Sequence, residues 1–199
     1  MENAFVIGNG RSRLDLDLNI LRRKGDIYGC NYLYQDFQPH ILIAVDGNIA
    51  EYIQNSGYAK NNIFYTRNPL KNSGALKIEK NYGYSSGPVA VTISCERNSR
   101  YIYLIGFDLM GLGSKNQKKD KRKYNNVYSG KKFYKKPESD ETYYGNWISQ
   151  IENIMKEYND RKFIRVNPHL NYDPPEWTEC NNYSSISSKL FLKRINTIC

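Results

Sequence analysis

Unbroken runs of apolar residues, each closed by a glycine or a polar residue, recur along this chain, and they leave few folds open. Ala4-Phe5-Val6-Ile7 runs into Gly8-Asn9-Gly10, and His40-Ile41-Leu42-Ile43-Ala44-Val45 runs into Asp46. Tyr101-Ile102-Tyr103-Leu104-Ile105 runs into Gly106-Phe107-Asp108. A strand with one wet face alternates apolar and polar residues, whereas a strand without alternation is covered on both faces, as in a parallel sheet. Shorter runs at 26–31, 62–66 and 162–167 predict three more strands. Helical spacing separates them. Leu14, Leu18 and Leu21 predict one helix, with Ser12 or Asp15 as its cap. Residues 48–56 predict a second, with Ile49, Tyr52 and Ile53 on one face. Ser85-Ser86-Gly87-Pro88 opens a third, running through Ser94. Residues 142–158 predict a fourth, with Trp147, Ile151, Ile154 and Met155 on its buried side. Residues 68–84 fit no element, and the tail offers only Pro174-Pro175 and a short helix near 187–194. Strands alternating with helices predict an α/β domain, a mostly parallel sheet with helices on both faces. The length of 199 residues suits a single domain, 1–199, with no internal repeat.

In open sheets of this kind ligands sit beyond the carboxyl ends of the strands, at the switch point. The residues predicted on that rim are Gly8, Asn9, Gly10, Asn31, Asp46, Gly106, Asp108 and Asn167, joined by the helix start at Ser85, Ser86 and Gly87. The two glycines around Asn9 allow a sharp turn whose N–H groups face outward, a cradle for phosphate or the adjoining sugar. A plain tight turn is the alternative. The third glycine of the dinucleotide fingerprint is missing, so a nicotinamide or flavin cofactor is not implied.

The formal net charge is +9. Residues 115–136 hold ten Lys or Arg against one acid, Asp120, and the remainder has 19 of each sign. The excess thus belongs to a basic insertion at 113–136 rather than to the whole surface. Its first part has no apolar residue and predicts a mobile loop; Tyr124, Tyr128, Phe133 and Tyr134 then interleave with lysines. Three readings stay open: a lid over an anionic ligand, a surface for nucleic acid, and a solvated loop. No apolar run reaches the roughly 18 residues a membrane span needs. The first strand begins within about three residues of the start, leaving no room for a cleaved leader, and a cytoplasmic protein is expected. Cys30, Cys95, Cys180 and Cys199 show no metal-ligand spacing, and the first two sit in core contexts.

Three segments carry a family resemblance: Ile7-Gly8-Asn9-Gly10-Arg11-Ser12, Tyr28-Gly29-Cys30-Asn31-Tyr32-Leu33-Tyr34, and Ser85-Ser86-Gly87-Pro88-Val89-Ala90 leading to Tyr103-Leu104-Ile105-Gly106-Phe107-Asp108. In order and spacing they resemble the bacterial sialyltransferases, users of CMP-sialic acid with a Rossmann-like fold. They are also similar to the related domain of hydroxymethylpterin diphosphokinases and to motility-associated glycosyltransferases. The likeness covers about residues 4–110, while the whole chain looks like small proteins of marine bacteriophages, whose setting would be the host cytoplasm. The resemblance implies a nucleotide or nucleotide-sugar donor of the CMP type. It places Gly8, Asn9, Gly10 and Ser12 near the phosphate and sugar, Asn31 on the nucleotide, Ser85, Ser86 and Gly87 along the donor site, and Gly106 and Asp108 at the Gly-x-Asp strand end. The family's histidine base and two tyrosines lie downstream of that strand, where this chain has its basic insertion. His169 and Asp108 are the candidate catalytic residues, and His40 reads as structural. Tyr124, Tyr128, Tyr134, Tyr143 and Tyr144 are candidates for the phosphate side. No metal site is assigned, although Asp46 and Asp108 could hold magnesium through waters, or Asp46 could simply cap a helix. The expected activity is a glycosyltransferase-like transfer; a non-catalytic nucleotide or nucleic-acid binder and a phage structural protein are the alternatives.

Overall fold

The computed structural model describes residues 2–80, 82–113, 122–168 and 172–198. The strands are β1 (Asn3–Ile7), β2 (Asp26–Cys30), β3 (Ile41–Ile43), β4 (Ile63–Thr66), β5 (Leu76–Lys77), β6 (Tyr101–Ile105), β7 (Lys162–Val166) and β8 (Tyr183–Ile186). They form one sheet in the order β5-β4-β3-β2-β1-β6-β7-β8. Every pairing is parallel. The chain steps outward from β1 to one edge, returns, and steps outward on the other side. The strand order therefore reverses between β1 and β6, which places the switch point there.

Residues alternate across the central strands although nearly all are apolar. Ala4, Val6, Ile102 and Leu104 face one core cluster; Phe5, Ile7, Tyr103 and Ile105 face the other. Helix α2 (Ser86–Glu96) and helix α3 (Gly145–Glu157) cover the first face, with Trp177 of the short α4 (Pro175–Thr178). Helix α1 (Gly47–Asn55) and helix α5 (Ser188–Asn196) cover the second. This is the α/β, Rossmann-like layout the sequence predicts, with helices on both faces. Helix α2 crosses β1, β2 and β3 and also packs against α3. Caught between two layers, it is buried from Pro88 to Cys95, well beyond the predicted face of Val89 and Ile93.

Four expectations need correction. The helix predicted at Leu14–Leu21 is two short 3-10 segments, Arg11–Asp15 and Leu18–Leu21, separated by extended backbone at Leu16. Leu14 points to water at 55% exposure, Arg13 turns inward instead, and Asp17 caps the second segment through Asn19 N–H. Tyr52 lies on the outer side of α1 at 39% exposure, not with Ile49 and Ile53. The unassigned stretch 68–84 contains β5, and the tail contains β8, both short edge strands. Trp147 is only partly buried, because Ile148 takes its place on the inner side of α3. Among the described residues no helix is long and apolar enough to cross a membrane.

Candidate functional site

A cleft of about 550 Å³ opens over the carboxyl ends of β1, β2, β3 and β6. Of the eleven residues predicted to bind or react, nine line it: Gly8, Asn9, Gly10, Asn31, Ser85, Ser86, Gly87, Gly106 and Asp108. Ser12 lies instead in an adjoining pocket that shares Asp108 and Asn125 with the cleft. His169 lies outside the described residues; Asn167 and Pro168 before it line that same adjoining pocket. His40 is at the other end of the sheet, where its Nδ1 accepts from Ile27 N–H at 3.2 Å.

The opening turn is built by close backbone approach. Gly106 takes a left-handed φ of +70°, and Gly8 and Gly10 pack onto it. A Cβ on Gly8 would sit 2.6 Å from the Gly106 carbonyl oxygen; one on Gly10 would sit 2.4 Å from Asp108 Cγ. The N–H groups of Gly8 and Gly10 donate to the Ile105 and Gly106 carbonyls at 2.7 and 2.9 Å. Arg11 N–H donates to Asn125 Oδ1 and Ser12 N–H to Asp108 Oδ2. These four amides are thus engaged within the protein, which overturns the expectation of an outward backbone cradle. The glycines serve the crossing of two turns, and the turn offers the cleft the Asn9 side chain.

Asn9 has one end of its amide held loosely and the other unused. Its Nδ2 reaches the Cys30 carbonyl at 3.4 Å and the Tyr134 hydroxyl at 3.5 Å. Its Oδ1 is buried with no hydrogen-bond partner. Buried acceptors are rarely left so. Asn31 adopts φ +53° at the end of β2. Its Oδ1 accepts from Ser86 Oγ at 3.0 Å, and Ser86 Oγ accepts from Val45 N–H at 3.1 Å. That relay ties the ends of β2 and β3 to the start of α2 and orients the NH2 end of Asn31 away from Ser86.

One positive helix end reaches the cleft where the sequence predicts it, at the start of α2, and a second comes from α1. The Arg11–Asp15 segment is a single 3-10 turn, whereas α1 and α2 present their N-termini through Gly47-Asn48 and Ser86-Gly87. Asp46 stands at the N-cap of α1 but makes no side-chain cap bond. Ser85 precedes α2; its N–H donates to Gln150 Oε1 and its Oγ accepts from Trp147 Nε1 at 3.0 Å.

Asp108 acts as a clamp. Oδ1 accepts from Ser12 Oγ, and Oδ2 accepts from Ser12 N–H at 3.1 Å and Asn125 Nδ2 at 2.9 Å. Both oxygens are thus engaged, an arrangement that holds two loops together. The buried Arg165 guanidinium backs it, donating to the Phe107 and Asp108 carbonyls at 2.9 Å each and pairing with Asp173 at 2.9 Å. Among the described residues no group of three or more His, Cys, Asp or Glu could hold a metal ion.

The basic insertion and the residues between it and α3 form another wall of the cleft. Residues 114–121 of the insertion lie outside the described part; residues 122–141 form an ordered strap. Lys123 is bridged to Leu112 and to Asp140, and Val127 N–H donates to the Asn9 carbonyl at 2.8 Å. The buried Arg13 donates to Asp36 Oδ2 at 3.2 Å and to the Tyr128 hydroxyl at 2.7 Å, and Tyr128 donates to Asp36. This contact pins the strap to the second core. Of the five candidate tyrosines, Tyr124, Tyr134 and Tyr144 line the cleft, Tyr128 is the anchor, and Tyr143 projects into solvent. Burial pushes the phenols of Tyr124, Tyr134 and Tyr144 above their ordinary range, with Glu141 adding to the effect at Tyr144. They are therefore neutral hydrogen-bond donors, and the Tyr144 hydroxyl is buried without a partner. Lys135 lines the same wall, its ammonium 5.7 Å from the centre of the Tyr124 ring. Sequence reasoning missed Asn125, Asn126 and Arg165, and pointed to Lys135 only as one lysine of the basic insertion. Asn125-Asn126 beside an aromatic was the available signal; a buried arginine inside an apolar strand gave none.

The same layout recurs in solved glycosyltransferases. The MAf glycosyltransferase of Magnetospirillum magneticum AMB-1 matches over 94% of this chain at 12% identity and a TM-score of 0.59; the chain spans 34% of that protein's length. The monofunctional α-2,3-sialyltransferase Cst-I of Campylobacter jejuni matches over 92% of this chain and 83% of its own, at 15% identity and TM-score 0.55. A variant of the sialyltransferase CST-II in complex with CMP matches over 99% and 100%, at 14% identity and TM-score 0.54. At these identities the likeness is one of fold. No protein-family profile matches the chain, and no curated protein sequence does.

Proposed function

We propose that the cleft holds the donor of a glycosyl transfer, a sugar linked to a nucleoside monophosphate of the CMP type, and that this protein transfers the sugar. The observation that carries the reading is a meeting at the switch point. Two α-helix N-termini line one cavity together with Asn9 and Tyr144, whose Oδ1 and hydroxyl are buried without a partner in the protein. The fold neighbour that holds CMP motivates the choice of nucleotide. Among the described residues the cleft has one ammonium, Lys135, and two carboxylates, Asp46 and Asp108, the second of them engaged by Ser12 and Asn125.

In this reading Asn31 and the starts of α1 and α2 face the nucleoside, and Asn9 lies beneath the phosphate–sugar link. Transfer breaks the bond between the anomeric carbon and a phosphate oxygen, and the nucleotide leaves with the electron pair. An acceptor hydroxyl oxygen bonds the anomeric carbon and gives its proton to a base, for which His169 is the candidate. The hydroxyls of Tyr124, Tyr134 and Tyr144 donate to the departing phosphate, and Lys135 balances its charge. Asp108 and Ser12 position the turn.

The test is nucleotide release from CMP-, UDP- and GDP-sugars, with and without magnesium. Release from a CMP-sugar, abolished in Asn9→Ala and Asn31→Ala, is the expected result. Binding of CMP without turnover would make the protein a nucleotide binder. A preference for UDP- or GDP-sugars would overturn the monophosphate assignment.

A further inference from the structure

Beyond the cleft mouth lies a second feature that the donor does not use. Phe133 lines the cleft yet is 41% exposed, and Tyr52 beside it on α1 is 39% exposed. Their ring centres are 5.6 Å apart. The buried Tyr32 meets both rings from beneath, at 6.1 and 6.2 Å. The Lys132 ammonium stands 4.7 Å from the centre of Tyr52 and 5.0 Å from that of Phe133. Two rings and a cation thus form a shelf continuous with the cleft.

The shelf is held at a conformational cost. Phe133 has φ +72°, a region that a bulky side chain rarely enters. The tight turn in which Tyr134 N–H bonds the Lys131 carbonyl at 3.0 Å holds it there, and Gly130 N–H closes the loop on the Lys135 carbonyl at 2.8 Å. The result is a division of labour between neighbours. Tyr134 goes inward beneath the nucleotide cleft, and Phe133 is turned out onto its rim. Strain kept in a well-bonded turn is a reason to look for function.

We propose that Tyr52, Lys132 and Phe133 form the acceptor subsite, and that it takes a sugar bearing an acidic group. This rests on the donor reading of the adjoining cleft. Aromatic faces bind the C–H face of a pyranose, and an ammonium beside them pairs with a carboxylate or sulfate on the same ring. Charge agrees: Lys131, Lys132, Lys135 and Lys136 stand in a stretch without an acid between Asp120 and Glu138. The shelf offers two exposed rings, Tyr52 and Phe133, and meets the cleft at Phe133. A single-stranded nucleic acid would call for a longer groove with successive stacking platforms.

The experiment measures binding of an array of acidic glycans, their neutral counterparts and a short oligonucleotide to the protein, with and without saturating CMP. At least one acidic glycan is expected to bind, at least tenfold more tightly than its neutral counterpart. Lys132→Ala is expected to remove that discrimination, and Tyr52→Ala to weaken acidic and neutral glycans alike. CMP affinity is read separately in the same variants and is expected to stay within about twofold, since neither side chain lines the cleft. Retained acid discrimination in Lys132→Ala, absence of any acidic-glycan binding, or a preference for the oligonucleotide would overturn the subsite. Failure of CMP to bind the unaltered protein would instead strike the donor reading, because glycan binding is scored without nucleotide as well.

Discussion

The Gly8–Ser12 turn and the 122–141 strap face each other across one cleft, yet they contribute in opposite ways. The turn carries the recognisable motif, and its amides at Gly8, Gly10, Arg11 and Ser12 are engaged within the protein. The strap carries no recognisable motif, and it supplies two phenols, Tyr124 and Tyr134, and a lysine to the cavity. The glycine motif therefore marks where the site is, through the close crossing of β1 and β6 ends, while the groups available to a ligand come mostly from elsewhere. A sequence signature for a turn reports backbone geometry before it reports chemistry.

The comparison can be broken on the turn side first. Gly106→Ala places a Cβ at φ +70° and 2.9 Å from the Gly8 carbonyl oxygen, and is expected to cost about 2–5 kcal/mol of stability, read by denaturant unfolding. Gly10→Ala should behave similarly. If either leaves stability intact, the turns are not locked together. Asp108→Asn removes charge-assisted acceptance from Ser12 and Asn125 and is expected to cost about 1–3 kcal/mol, with nucleotide affinity following the loss of fold. At Tyr144, which follows the strap at the start of α3, the expected pattern reverses. Tyr144→Phe deletes a buried hydroxyl without a partner, so stability should hold or rise by up to about 1 kcal/mol while donor affinity falls about 3- to 10-fold. A stability loss there would show that the hydroxyl is structural.

Two smaller effects sharpen the same contrast. The phenols of Tyr124, Tyr134 and Tyr144, like those of Tyr28 and Tyr58 at about 12, are raised by burial, so the folded protein holds protons that the unfolded chain releases. That contribution is complete below the ordinary tyrosine value and is lost as pH climbs past about 10, which pH-dependent unfolding would record as falling stability. The smallest concerns Cys30, under the turn, whose thiol burial pushes up to about 12. Alkylation at pH 8 should leave it unmodified in the folded protein and modify it after unfolding.

The legibility of the chain follows the same line. Central strands were readable because burial on both faces writes itself as a continuous apolar run, as in β1 and β6. Edge strands were not: β8 reads Tyr-Ser-Ser-Ile and β5 is two residues long. The misread helix at Leu14–Leu21 had helical spacing, but the pull of Arg13 toward Asp36 and Tyr128 is a long-range contact that no local pattern encodes. The rim of the site was legible because strand ends and helix starts can be located from the sequence. Which atoms stay free was not, since the engagement of Gly10 N–H by Gly106 and of Asp108 by Ser12 depends on partners about a hundred residues away.

The most direct measurement is calorimetric titration of CMP into the unaltered protein and into Asn9→Ala. The account expects binding to the first, at least tenfold weaker binding to the second, and melting temperatures within about 4 °C of each other, since Asn9 Oδ1 serves no internal bond and Nδ2 makes only long ones. Equal affinity in both proteins, or no CMP binding to either, would contradict it.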